Sequence, residues 1–216
     1  METSALEKTN ESRCRKAVGT DINDVVRVHL EAFPGFFLTD LGAPFLRVMY
    51  KSFLMDANGI FVVHRSEMGE LDGFAVGTLT SQTRDRWLAL RFLPEFMVAA
   101  IPAMLARPRQ VGVRLAQRFF ETDEMPEMPK GSAVLRSIGV LGSARGAGAA
   151  DALLRAFEGD ASARGACRLC LTTNEDDNQR AQRFYAKHGY EMVTRFHQSG
   201  SRRMWLMSKR LDAVDG

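Results

Sequence analysis

Apolar positions recur along the chain with two different periods, and the places where one gives way to the other lay out the elements. Ile22, Val25, Val26, His29, Leu30 and Phe33 fall three and four apart, one stripe of an amphipathic helix for which Thr20 is the expected cap. Phe45, Leu46, Met49, Tyr50, Phe53 and Leu54 make a second helical stripe opening near Pro44. A short strand is expected before them at Arg15 to Val18, and two more follow at Ile60 to His64 and Leu71 to Thr80. A turn at Gly69 joins this later pair. Val134, Leu135, Ile138 and Val140 form a β-branched run closed by glycines, the mark of a buried strand ending in a tight turn. Ala150, Leu153, Leu154, Phe157 and Ala161 then supply a helical face that packs back on it. Leu169 and Leu171 alternate as in a strand, Asn178 caps a helix carrying Ala181 and Phe184, and Gly189 stops it. Tyr190 to Phe196 and Arg203 to Arg210 read as a closing hairpin.

Between these halves, residues 81–130 are too many for a structureless connection, so they should carry elements of their own. Leu93, Phe96, Met97, Ala100, Ile101, Met104 and Leu105 form a helical stripe that should start at Pro94 and kink at Pro102. A second helix is expected from about Arg109 to Phe120. The stretch from Trp87 to Ala106 is apolar, but Arg91, Glu95 and two prolines interrupt it, so no membrane span is expected. Seven arginines between Arg84 and Arg118 face only Asp85 and Glu95, a local net of +5. A basic helical pair of this kind can lie on an anionic membrane surface, cover a substrate, form a homodimer contact, or pack with its arginines solvated.

With 216 residues, 45% of them hydrophobic, the chain reads as one domain, 1–216, with residues 1–13 flexible and the helical insertion at 81–130. The polar N-terminal stretch has no apolar core and is no signal peptide. A net charge of +3 leaves the chain outside Arg84 to Arg118 at −2, far from the clustered basicity of a nucleic-acid binder. Three cysteines argue against a disulfide framework and for a reducing, cytoplasmic setting. Cys167 and Cys170 would lie on opposite faces of a strand with no second ligand pair, so they read as small core residues and no metal is expected. The acidic runs Glu121, Asp123, Glu124, Glu127 and Glu175, Asp176, Asp177 read as solvated turns, and His64 and His197 as structural histidines.

The chemistry concentrates at Arg145-Gly146-Ala147-Gly148-Ala149-Ala150, between a strand and a helix. Small residues there admit a ligand close to the backbone, and the unpaired amides and positive dipole end of the helix attract an anion, to which Arg145 adds a full charge. A P-loop would need Lys and Ser or Thr after the last glycine, whereas Ala149, Ala150 and Asp151 follow Gly148. A dinucleotide fingerprint would want a small residue at Asp151 and an earlier place in the chain, which leaves a nucleotide-binding oxidoreductase a distant reading.

The remaining pattern, Arg-x-x-Gly-x-Ala after a strand, resembles the acetyl-CoA signature of the GNAT acetyltransferases. A second spaced match lies downstream in Asn178, Ala181, Tyr185, Gly189 and Tyr190. The likeness covers residues 133 to 210 firmly and Arg15 to Thr80 more loosely. It implies an α/β (α+β) fold: a mixed, mostly antiparallel central sheet flanked by helices, with the insertion placed before the strand that binds acetyl-CoA. It further implies an N-acetyltransferase that moves an acetyl group from acetyl-CoA, as co-substrate, to a primary amine by direct attack in a ternary complex.

On that resemblance, backbone groups of Ile138, Gly139 and Val140 pair with the pantetheine arm, Arg145, Gly146, Ala147, Gly148 and Ala149 hold the pyrophosphate, and Asn178 helps place the arm. The Val140 amide is the implied oxyanion donor and Tyr185 the general acid, protonated at neutral pH with an ordinary pKa of about 10. Phe36 and Phe37, between the first two helices, are implied walls of the acceptor pocket. Some members carry a glutamate base five residues before the asparagine, where this chain has Thr173. The acceptor, a small-molecule amine or a protein or peptide amine, is not specified by any residue. The alternative reading is a non-catalytic acyl-CoA-binding or membrane- or partner-binding module of the same type.

Overall fold

In the computed structural model, which describes residues 10–80, 85–106, 126–176, 178–198 and 202–212, seven strands form one sheet. They are β1 (Cys14–Lys16), β2 (Gly59–Arg65), β3 (Leu71–Leu79), β4 (Ser132–Val140), β5 (Arg168–Asn174), β6 (Glu191–Gln198) and β7 (Arg202–Arg210), in the order β1-β2-β3-β4-β5-β7-β6. Every neighbour is antiparallel except β4 and β5, which run parallel. A parallel pair needs a crossover, and helix α5 (Ala149–Ala163) supplies it. Helices α1 (Ile22–Ala32), α2 (Phe37–Asp40) and α3 (Gly42–Met55) lie between β1 and β2, α4 (Asp85–Ala106) follows β3, and α6 (Gln179–Lys187) follows β5.

The periods read from the sequence become two layers. On one face Val25, Val26, Leu46 and Tyr50 of α1 and α3 pack against Phe61, Val63, Phe74 and Val76 of the sheet. On the other, Leu153, Leu154, Phe157 and Ala161 of α5 cover Ile60, Val62, Ala75, Leu135 and Leu171, and Tyr185 of α6 joins them. Each large side chain fully buried this way contributes about 2 kcal/mol of transfer free energy. Ala150 is only half-buried, because the buried face of α5 runs through Ala149 and Ala152 instead.

Three expectations are corrected. Thr20 lies inside a single 3-10 turn, Gly19–Asp21, and α1 begins after it. The local organiser is Asp21, which accepts hydrogen bonds from both Arg15 Nη atoms at 2.7 Å, from the Val18 amide at 2.9 Å and from Arg65 at 3.0 Å. Burial alone would raise the pKa of this carboxyl, but Arg15, the Val18 amide and Arg65 together hold it below the usual value. Second, α4 starts by Asp85 rather than at Pro94, with both prolines inside it. Its apolar residues surround the axis, so the Leu93 stripe did not mark its start; Phe96 packs on Phe45 of α3 at 5.0 Å between ring centroids, while Met97, Val98 and Leu105 are exposed. Third, Cys167 is an exposed residue before β5, whereas Cys170 is buried. The helix expected at 109–120, the run from Glu121 to Glu124, Asp177 and the turn of the last hairpin lie outside the described residues. Glu175 and Asp176 are ion-paired with Arg195 at 3.1 Å and Arg203 at 2.8 Å. Among the described residues no helix is long and apolar enough to cross a membrane.

The decisive irregularity lies between β3 and β4. Val76 pairs with Ser137 and Gly77 with Leu135, so Arg136 is an extra residue, a β-bulge. Gly77 makes room for it: a Cβ there would collide with the Val134 carbonyl oxygen and lie 2.7 Å from Phe157 Cζ. Gly77→Ala should therefore lower the melting temperature by several degrees, because the obstructing atom is backbone. Gly159→Ala, in open space on α5, should leave it unchanged or raise it, by up to about 1 kcal/mol of stability. Thermal unfolding of the two variants beside the wild type checks both.

Candidate functional site

The bulge decides what the end of β4 can do. The parallel ladder to β5 ends at Leu135 opposite Leu171, while β4 continues to Val140 along β3 and β5 continues to Asn174 along β7. From Arg136 onward the side of β4 that faced β5 is open. The Leu141 amide donates to the Asp72 carbonyl at 2.8 Å, and alternation from that point aims the backbone of Gly139 and Ser137 at β3. The backbone groups of Ile138 and Val140 therefore face the open side. Gly139 borders the gap without contributing its own N–H, and its missing side chain serves the other face, where a Cβ would meet Phe33 at 2.9 Å and Phe74 at 3.1 Å.

Beyond the strand end, Leu141 leads through a 3-10 turn, Gly142–Ala144, into the small-residue loop. Gly146 and Gly148 take φ of +83° and +84°, a left-handed conformation open to glycine at little cost. That turns the chain so that α5 starts at Ala149 with no side chain capping it. The amides of Gly146, Gly148, Ala149 and Ala150, and the exposed Arg145 guanidinium beside them, have no hydrogen-bond or ion-pair partner among the described residues. Unpaired donors at a positive dipole end, next to a free cation, form an anion cradle. Residues 10–13, expected to be flexible, lie along it: Asn10 Nδ2 donates to the Ala147 carbonyl at 2.7 Å, and Glu11 pairs with Arg155 at 3.0 Å.

The remaining expected residues sit across the gap. Asn178 occupies the N-cap position of α6, but its Nδ2 donates to Thr173 Oγ1 at 2.8 Å rather than its oxygen capping the helix. Tyr185 is buried among Phe184 and Tyr190, with ring centroids 5.3 and 5.6 Å away. Burial pushes its pKa well above the ordinary tyrosine value, and its hydroxyl has no hydrogen-bond partner among the described residues. Phe36 is half exposed with its ring edge on Phe33, and Phe37 opens α2. Among the described residues no group of three His, Cys, Asp or Glu could hold a metal ion. A separate depression of about 460 Å³ beside the β2–β3 turn, lined by Asp24, Arg27, Arg65 and Met68 among others, shares no residue with this site.

These features together are an open strand edge, a cradle at one end of it and a buried tyrosine on the far side. Residues 22–190 match the acetyltransferase (GNAT) family. The chain belongs to the GNAT acetyltransferase family. It is accordingly an acyltransferase, and GNAT enzymes take acetyl-CoA as their usual acyl donor and amines as acceptors. Solved GNAT structures share the fold. A Desulfovibrio desulfuricans protein assigned to the family aligns over 92% of this chain and 98% of its own, with TM-score 0.61 and 16% identity. The ribosomal-protein alanine N-acetyltransferase of Escherichia coli aligns over 94% and 95%, with TM-score 0.56 and 13% identity. A structure described as histone acetyltransferase HPA2 and related acetyltransferase, from Corynebacterium glutamicum, aligns over 94% and 98%, with TM-score 0.57 and 19% identity. No curated protein matches the chain in sequence.

Sequence reasoning missed one polar group in this GNAT chain. His29 Nδ1 lies 2.5 Å from the Tyr50 hydroxyl, while His29 Nε2 is buried with no hydrogen-bond partner among the described residues. The signal was present as a histidine and a tyrosine on two apolar helical stripes, but nothing local pairs them. Burial lowers the His29 pKa from 6.5 to about 4. The folded state thus resists a proton that the unfolded chain accepts, so His29 costs no stability above pH 6.5 and destabilises progressively as pH falls from 6.5 towards 4. The full cost is about 3 kcal/mol. Urea titrations between pH 7 and pH 4.5 should show that loss in the wild type and a flatter profile in His29→Gln.

Proposed function

We propose that this chain is an N-acetyltransferase that binds acetyl-CoA along the open edge of β4 and transfers the acetyl group directly to a primary amine. The observation that carries the reading is the parting of β4 from β5 at Leu135, with an uncapped helix N-terminus just beyond it. The parts fit the co-substrate: free strand-edge groups on Ile138 and Val140 suit the amides of a pantetheine arm, and the amides of Gly146, Gly148, Ala149 and Ala150, with Arg145, suit a pyrophosphate. Ala147 keeps side-chain bulk out of the cradle, and Gly139 lets the strand that lines the arm pack closely on Phe33 and Phe74. Asn178, held by Thr173, borders the arm.

Acetyl-CoA supplies an activated thioester, and the protein's work is placement and charge. The Val140 N–H, on the open side at the strand end, would meet negative charge developing on the acetyl oxygen. Holding amine and thioester in line supplies much of the remaining acceleration. Tyr185, kept protonated by burial and with its hydroxyl uncommitted, would give its proton to the departing sulfur. A protein or peptide N-terminus, an amino sugar and an antibiotic-like amine are the acceptor classes to be tested, since no residue chooses among them. The chain reads as one domain, 1–216, acting in the cytoplasm.

Isothermal titration of acetyl-CoA tests the first half of the proposal: the wild type should bind, and Arg145→Ala should bind about tenfold more weakly through the loss of one charge-assisted contact. A turnover screen with glucosamine, kanamycin and a peptide with a free N-terminal alanine tests the second. With the amine that responds, Tyr185→Phe should lower kcat by about a hundredfold while leaving acetyl-CoA binding intact. A folded wild type that does not bind acetyl-CoA would sink the proposal.

A further inference from the structure

One support of the cradle comes from far away in the chain. Asn10 lies before residues 22–190, the stretch that matches the GNAT family, so the family's signature does not account for it. Yet its Nδ2 donates to the Ala147 carbonyl at 2.7 Å, across 137 positions of sequence.

The placement follows from the edge of the sheet. β1 pairs with β2 from Cys14 opposite His64, and just before it the Arg13 carbonyl accepts from the Arg65 amide at 3.2 Å. The Arg13 amide in turn donates to the Asn10 carbonyl at 3.1 Å, which closes a single turn and carries Asn10 to the start of α5. Two ion pairs hold that turn, Arg13 with Glu67 at 2.8 Å and Glu11 with Arg155 at 3.0 Å. Pairs this exposed stabilise little, but they tie the turn to the β2–β3 hairpin on one side and to α5 on the other. Its neighbours also fix which way the Asn10 amide faces. Arg13 Nη1, which can only donate, lies 3.4 Å from Oδ1, and the Ala147 carbonyl, which can only accept, faces Nδ2.

The geometry of a peptide unit sets what this contact does. In a trans unit the carbonyl and the following N–H point opposite ways, so holding the Ala147 carbonyl on Asn10 turns the Gly148 N–H away from it. That N–H is one of the cradle donors without a partner among the described residues. Left alone the unit would be loose, because Gly146 and Gly148 flank Ala147 and rotate at little steric cost. Gly148 also makes the contact possible, since a Cβ there would lie 2.8 Å from Asn10 Nδ2. An amide side chain suits the place better than a carboxylate. It can donate to a carbonyl, and it brings no negative charge to a site built for an anion. The acid beside it, Glu11, is paired with Arg155.

We infer that Asn10 is a positioning residue for the co-substrate, holding the Ala147–Gly148 peptide so that the Gly148 amide is aimed at the pyrophosphate before acetyl-CoA arrives. The inference rests on the acetyl-CoA reading above. A donor already in place loses little freedom when the anion binds, so the contact is expressed as affinity. The chemical step, at the far end of the pantetheine arm, is left as it was.

Titration of acetyl-CoA into Asn10→Ala and Asn10→Asp beside the wild type reads the affinity, and backbone relaxation of isotope-labelled protein reads the rigidity of Gly148. Asn10→Ala should raise the Kd about fivefold. Asn10→Asp keeps the shape without a hydrogen to donate and adds a charge, so it should raise the Kd further, and the extra loss should shrink as salt is added. Free of ligand, Gly148 should show an order parameter of about 0.85 in the wild type and about 0.6 in Asn10→Ala, with acetyl-CoA restoring the higher value. A Kd for Asn10→Ala within twofold of wild type would overturn the inference. So would weaker binding with Gly148 as rigid as before, which is what a contact that merely anchors the N-terminal turn would give. A wild type that does not bind acetyl-CoA sinks the co-substrate reading itself, whereas a wild type that binds it with Gly148 already mobile sinks this inference alone.

Discussion

One extra residue in a strand organises the site. With Arg136 bulged out, β4 leaves β5 after Leu135, and the backbone beyond it is stripped of a partner on one side. The same residue flips the two-residue alternation, which is why Leu135 and Ile138, three apart, both pack towards α5. It also fixes where the glycines must be. Gly77 admits the bulge from the β3 side, and Gly139 lets Phe33 and Phe74 close against the strand from the other. A regular β4 would continue its ladder with β5, bury its edge and turn Ser137 to the α5 side.

The cradle depends on that departure. A chain leaving β4 in register with β5 would pass beneath the sheet edge; here Leu141 is held by the Asp72 carbonyl, and the two left-handed glycines turn the loop so that the first amides of α5 point past the strand end. The two halves of the sheet then do different work. β1 to β4 carry the α1–α3 layer and its aromatic wall, while β5 to β7 carry α6 and Tyr185. The gap between the halves is where both layers meet an open strand edge, and the apolar mass on either side keeps it from collapsing.

Much of this was legible because helices and turns announce themselves locally. The stripes of α1, α3 and α5, the turn at Gly69, the small-residue loop and Gly189 each depend on a few adjacent positions. What escaped depends on distant ones. The α4 boundary was misplaced because a helix apolar on all sides has no phase to read, and Asn178 looked like a cap because its attachment to Thr173 belongs to the tertiary structure. The bulge did leave a trace: Val134, Leu135, Ile138 and Val140 cannot all follow a strict period of two, and the break falls at Arg136. The pairing of His29 with Tyr50 left none, since each is an ordinary member of its helix stripe until the two helices meet.

The burial of Tyr185 bears on its proposed role in a way the sequence alone does not reveal. A tyrosine whose pKa rises loses driving force as an acid against a thiolate in water, whose thiol has a pKa of about 8.5. In the proposed transfer, however, the departing sulfur would form beside a hydroxyl whose ring packs on Phe184 and Tyr190, and lack of solvent there would destabilise a thiolate for the same reason that it destabilises a tyrosinate. What matters is the difference between two anions in one environment, and there the raised value of the tyrosine stops being a handicap. In the proposed role it would keep the proton on oxygen through binding and attack, when an early loss would place a negative charge beside the incoming thioester, and release it only when the competing anion forms beside it.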